Sequence, residues 1–219
     1  VFCPWHFRDP FRTGRLGFSA MGNACTEGIK IFLSPFENPA DREPSYILHG
    51  YSRSKTSVVR SKDNSLLLQA YEIYDVIGEG SYGTVRSARS FSTGGHRVLK
   101  SVHKRGGSCA LLATEIKNQS SCKHPNIVHL FEVYETPAWI HMVLEVCEGG
   151  DLLDLVAKRK RLPEADAASV LRQVLASLCY LHGTACIAHR DLKLENVLLE
   201  RKGAEFADNV VKVTDFGVS

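Results

Sequence analysis

The sequence contains no CxxC pair, and its seven cysteines (Cys3, Cys25, Cys109, Cys122, Cys147, Cys179 and Cys186) are odd in number. That pattern points to neither a zinc site nor a disulfide framework, and reduced thiols in a cytoplasmic protein are expected. No uninterrupted apolar run approaches the ~18 residues that a membrane-spanning helix needs. Clustered positive charge is also missing. Residues 1–70 carry nine Lys and Arg against six Asp and Glu, whereas residues 71–219 carry eighteen of each, so the net +3 lies in the N-terminal segment. A nucleic-acid-binding core would need a basic cluster, and no nucleic-acid partner is expected. No internal repeat is visible.

What is present changes character at Tyr71. Residues 1–70 are rich in Pro, Gly, Ser and Arg, as in SPFENPADREPS and YSRSKTSVVRSKDNS, and their weak periodicity predicts a largely disordered extension. From Tyr71, YEIYDVIGEGSYGTVRSARS alternates like a hairpin interrupted by glycines, and HRVLKSV, NIVHLFEVYE and WIHMVLEV read as further strands. CALLATEIKNQSSC reads as a helix. EADAASVLRQVLASLCYLHG is amphipathic, with Ala168, Leu171, Val174, Leu175, Leu178 and Leu181 on one face. Strands come first and helices later, which predicts two successive α+β lobes, 71–147 and 148–219.

One stretch of the extension, MGNACT at residues 21–26, fits the N-myristoylation pattern, with Gly22 as acceptor and Thr26 at the fixed position. Cys25 is then a candidate for a second acyl anchor, which matters because one myristoyl chain binds membranes only marginally. The reading requires translation to begin at Met21, and membrane association is expected only on that condition.

Chemistry concentrates in four places. GEGSYG carries Gly78, Gly80 and Gly83 in the pattern G-x-G-x-x-G, with Glu79 and Ser81 between them and Val85 after. Absent side chains let backbone N–H groups approach phosphate oxygens. A dinucleotide-binding loop of this pattern would lead from a strand into a helix; here TVRSARS reads as a second strand, so the loop joins two strands. Lys100 follows Gly83 by 17 residues and precedes Glu115, in a helical stretch, by 15, as a phosphate-bridging lysine held by a helix carboxylate requires. His96 and Lys104 have no comparable partner in the pattern and are read as surface residues. HRDLKLEN, residues 189–196, offers Asp191 to accept a substrate hydroxyl proton, Lys193 to neutralise charge on a transferred phosphoryl group, and Asn196 to hold a metal ion. Asp215, in DFG, is the matching carboxylate for magnesium.

Together these motifs make residues 71–219 resemble the eukaryotic protein kinases, and Lys193 points to the serine/threonine type. The resemblance implies a bilobal α+β fold: a five-stranded antiparallel N-lobe with one key helix, then a mainly helical C-lobe. It implies ATP and Mg²⁺ as cofactors and protein hydroxyls as substrates. Leu144 becomes the gatekeeper, Glu145 to Cys147 the hinge that hydrogen-bonds adenine, and Glu148 and Asp151 neighbours of the ribose or the substrate. HPNIVHLFEVYE, LEVCEGGDLLD and the 19-residue interval from Asn196 to Asp215 look like the calcium/calmodulin-regulated group. MGNAC before a basic, Ser-rich stretch is similar to the calcium-dependent kinases of plants and protists.

Two departures weigh against activity. Gln119 stands where such kinases usually carry an apolar residue, and a buried amide without partners costs roughly 1–3 kcal/mol, enough to shift its helix. Cys122 likewise replaces a larger apolar residue. The second departure is that no activation segment, APE-like motif or EF-hand loop follows. The chain is therefore expected to be a fragment whose C-lobe is incomplete, with apolar surface exposed on its long helix. Calcium control is expected only if a missing region supplies it, and a catalytically inactive nucleotide-binding or scaffold fragment is the alternative.

Overall fold

The computed structural model describes residues 56–80, 83–104, 109–204, 206 and 208–215. The lipidation motif at 21–26 and Ser81 lie outside the described residues.

Strands β2 (Tyr71–Gly80), β3 (Gly83–Ser90) and β4 (His96–His103) form an antiparallel meander. β4 continues across to β6 (Trp139–Leu144), which pairs with β5 (Leu130–Glu135). These are the five expected strands. A sixth, β1 (Ser57–Arg60), adds in parallel to the outer edge of β5, giving the order β1-β5-β6-β4-β3-β2. The short helix α1 (Ser65–Ala70) then crosses the sheet's outer face and buries Leu67 against Tyr71, Ala88, Leu99 and Val143. Residues 56–70, counted with the extension on composition, are thus built into the sheet. SVVR is too short to show a period, and its place depends on a β5 edge more than 70 residues away.

Helix α2 (Cys109–Ser121) covers the inner face. Its Leu112, Ala113 and Ile116 bury against Val128, Leu130, Val133, Ile140 and Met142. The second lobe holds α3 (Leu152–Arg159), α4 (Glu164–Tyr180) and the hairpin β7 (Val197–Leu199)–β8 (Val211–Val213). α3 starts where the Asp151 carboxylate accepts the Asp154 N–H at 2.8 Å, an N-cap bond. It stops where Lys160 turns left-handed at φ 65°. A Cβ on Gly149 would come 2.5 Å from the Leu199 side chain, so only glycine lets the chain leaving the hinge lie on β7.

α4 forms as expected but turns a different face inward. Val170, Val174 and Ser177 are its buried residues, with Leu181 just beyond them, while Leu171 and Leu175 remain 58% and 57% exposed. The hairpin decides the rotation: Gln173 accepts the Val211 N–H at 2.9 Å and donates to the Asn209 carbonyl at 3.1 Å. That places the Val170–Val174 stripe against Val197, Leu199 and Val211.

Candidate active site

Lys100 sits on β4, paired with Val85 on one side and Met142 on the other. Its Nζ lies 2.8 Å from Glu115 Oε1, on α2, and 2.6 Å from Asp215 Oδ1, in the other lobe. Burial works against the ammonium, but the charges of Glu115 and Asp215 outweigh it and hold the Lys100 pKa above its ordinary value. Three residues spread over 115 positions thus meet at one nitrogen.

The glycine segment closes as a hairpin, with Gly78 opposite Val85, Glu79 opposite Thr84 and Gly80 opposite Gly83. Gly83 has φ 137°, and a side chain there would collide with the Ser101 carbonyl. Leu144 is buried at the end of β6. Beyond it the Glu145 N–H donates to the His129 carbonyl at 3.0 Å. The Glu145 carbonyl and the Cys147 N–H have no hydrogen-bond partner among the described residues. Burial pushes the half-buried Cys147 thiol up to about 12.

The HRDLKLEN segment folds into a tight cluster. Asn196 Nδ2 donates to the Asp191 carbonyl at 2.8 Å and to Asp191 Oδ2 at 3.1 Å. Lys193 Nζ lies 2.9 Å from the same Oδ2. The hydrogen bond from Lys193 holds the Asp191 carboxyl below the usual carboxylate range, against the effect of burial and with Asn196 adding to it. The same bond raises Lys193. His189 is buried; its Nδ1 accepts the Asp191 N–H at 3.4 Å and its Nε2 lies 2.9 Å from the Thr214 carbonyl. A carbonyl only accepts, so Nε2 is the nitrogen that donates to Thr214. The Thr214 N–H in turn donates to the Asn196 carbonyl at 3.0 Å, which holds Asp215 beside the cluster. Arg190 and Asp215 both adopt left-handed backbone, with φ 62° and 63°, and such strain concentrates at working sites.

Asn196 and Asp215 suit a hard divalent cation, which takes oxygen ligands. The Asn196 amide spends its nitrogen on Asp191, leaving Oδ1 for a metal, and Asp215 Oδ1 bonds to Lys100 while its second oxygen has no partner among the described residues.

Two expectations, on Gln119 and Lys104, need correction. Gln119 is buried but not without a partner: its Nε2 donates to the Val128 carbonyl at 3.3 Å, and α2 stays in place with the Lys100–Glu115 pair closed. Cys122 fills the contact between Ile127, Leu181 and Ile187, and burial pushes its thiol up to about 11. Lys104 is no surface residue; its side chain is 4% exposed and 2.8 Å from the fully buried Glu135 carboxylate. Sequence reading missed Lys212, whose Nζ lies 2.7 Å from Glu145 and 3.6 Å from Glu200, tying β8 to the hinge. A lysine inside the apolar run VVKV was the available signal. Asp151 serves as the α3 cap and Glu148 is exposed.

Polar groups of both lobes thus gather between the sheet and the hairpin. The family model described as Protein kinase domain matches residues 71–219, and the chain belongs to that family. It is 37% identical over 181 residues to a probable myosin light chain kinase of Dictyostelium discoideum, covering 82% of this chain and 56% of that one. It is 37% identical over 169 residues to NUAK family SNF1-like kinase 2 of Rattus norvegicus, covering 75% and 26%. With calcium-dependent protein kinase 4 of Plasmodium falciparum it shares 33% over 172 residues, covering 77% and 32%. The chain thus spans about half or less of the length of these relatives.

Proposed function

We propose that these residues form the nucleotide cleft and catalytic loop of a serine/threonine kinase that transfers the γ-phosphoryl group of ATP to protein hydroxyls. The observation that carries the reading is the closed contact of Lys100 with Glu115 and Asp215. Lys100 bridges the nucleotide phosphates under the Gly78–Gly83 hairpin, with Glu115 fixing its position. The unpaired Glu145 carbonyl and Cys147 N–H suit the edge of adenine, between Leu144 and Val85. Asp191, kept ionised by Lys193 and Asn196, accepts the substrate hydroxyl proton, and Lys193 offsets charge on the group in flight. Asn196 and Asp215 would hold Mg²⁺, which neutralises the phosphate oxygens when bound. Phosphoryl transfer depends on positioning and charge more than on covalent chemistry, and this set supplies both.

Membership of a calcium-regulated group is the finer reading, supported by relatives named as a myosin light chain kinase and a calcium-dependent kinase. The test of the catalytic reading is Lys100→Met in the full gene product. Phosphate transfer to a protein substrate should fall by about 10²-fold or more while the chain still folds, as circular dichroism would show. Transfer that survived the substitution would remove Lys100 from the phosphate site.

A further inference from the structure

On the outer face of the sheet, away from the cleft, a cavity of about 350 Å³ opens at the C-terminal end of α1. Tyr71, Tyr134, Glu132, Ser90, Ser92 and Phe91 line it. Glu132 Oε2 accepts hydrogen bonds from Tyr71 Oη at 2.9 Å and from Tyr134 Oη at 3.0 Å. Both phenols donate to that one oxygen, and both are raised above their ordinary pKa, first by burial and then by the carboxylate. A clip for two tyrosines would use up that one oxygen; Oε1 has no partner among the described residues. No cation pairs with Glu132 among them either. Arg97 lies over the Phe131 ring at 4.0 Å and donates to the His96 carbonyl. Ser90 and Ser92 bring two hydroxyl oxygens, 3.1 Å apart, to the same space, and Phe91, 61% exposed, stands at its mouth.

We propose that this cavity is a binding site for an alkyl cation, the ammonium or guanidinium end of a basic side chain. The charged head meets Glu132 Oε1 and the serine hydroxyls, and the alkyl stem lies along Phe91. A half-buried carboxylate without a counter-ion gains most from a cation that brings its own donors. The site does not depend on the kinase reading, since none of its residues belongs to the cleft. The cation could belong to another molecule or to this chain. Ser57 stands in register with Glu132, and the basic residues Arg53 and Lys55 immediately precede that strand in sequence.

The test is ligand-observed NMR on the full 219-residue chain with butylammonium and butylguanidinium, and butylurea as the neutral control. Saturable binding with a dissociation constant of about 1 mM is expected for a cation this small, and none for butylurea. Glu132→Gln keeps an oxygen for the two phenols and should weaken binding about tenfold or more. Phe91→Ala, at an exposed position, should weaken it about threefold and decides the matter should Glu132→Gln fail to fold. Binding to the unaltered chain means an external cation. Binding that appears only after Arg53→Ala and Lys55→Ala means that the chain's own residues compete. No saturable binding in either background, equal binding of butylurea, or indifference to Glu132→Gln and Phe91→Ala would overturn the proposal.

Discussion

Gln119 shows how one polar side chain can be misjudged from its neighbours in sequence. Its amide looked like a penalty to α2, yet it satisfies the Val128 carbonyl, which the turn before β5 would otherwise leave buried. Gln119→Ala should therefore destabilise the protein by about 1–3 kcal/mol, through the lost bond and the space vacated, as read by chemical denaturation. His141 makes a second prediction at the same scale. It is buried between Ser101 and Asn64, and burial pushes its pKa down to about 4. The unfolded chain takes up a proton near pH 6.5 where the folded one does not. Between pH 6.5 and about 4 stability should therefore fall as pH falls, by up to ~3 kcal/mol in total. Urea denaturation across that range checks it, and His141→Gln should flatten the dependence.

Among the elements, β1 is tied to the sheet through a buried carboxylate as well as its ladder. Arg60 reaches Glu135 at 3.4 Å, and Lys104 reaches it from the end of β4, so one buried carboxylate joins three strands. Removing it in Glu135→Ala leaves buried positive charge without that counter-charge and should cost ~3–5 kcal/mol, measured as a lower denaturation midpoint. The contrast between β1 and the catalytic loop marks what was legible in the sequence. HRDLKLEN and the Gly78–Gly83 hairpin were legible as motifs because their residues lie close together in the chain, and the structure gathers Asp191, Lys193 and Asn196 into one cluster. Lys100 and Glu115 were legible too, since their separation follows from a strand leading into a helix. Ser57–Arg60 was not, because four residues carry no period and their partner strand lies far along the chain. Lys212 and Lys104 were hidden for the same reason: their carboxylates come from other elements, and composition alone makes a lysine look like surface. The rotation of α4 depended on Gln173 meeting the β7–β8 hairpin, a tertiary choice among several apolar faces.

At the scale of the whole molecule, the exposed pair Leu171 and Leu175 sets the chain's behaviour in solution. The two leucines stand one turn apart on α4, beside exposed Ala176 and Cys179, and form an apolar stripe. Such stripes drive self-association. The double variant Leu171→Gln, Leu175→Lys should keep the isolated chain monomeric at concentrations where the parent aggregates, as seen by light scattering. Its stability should change by no more than about 0.5 kcal/mol.

The lacing of β8 has another consequence. Val213 gives its N–H to the Asn126 carbonyl and its own carbonyl to the Val128 N–H, while the next residue is bonded to Asn196. The strand that delivers Asp215 is therefore anchored from both lobes. The position of Asp215 is thus set by both sides of the strand that carries it. A substitution that shifts Asn126 or Val128 would therefore reach Asp215 along β8, from residues that are themselves outside the cluster around Asp191.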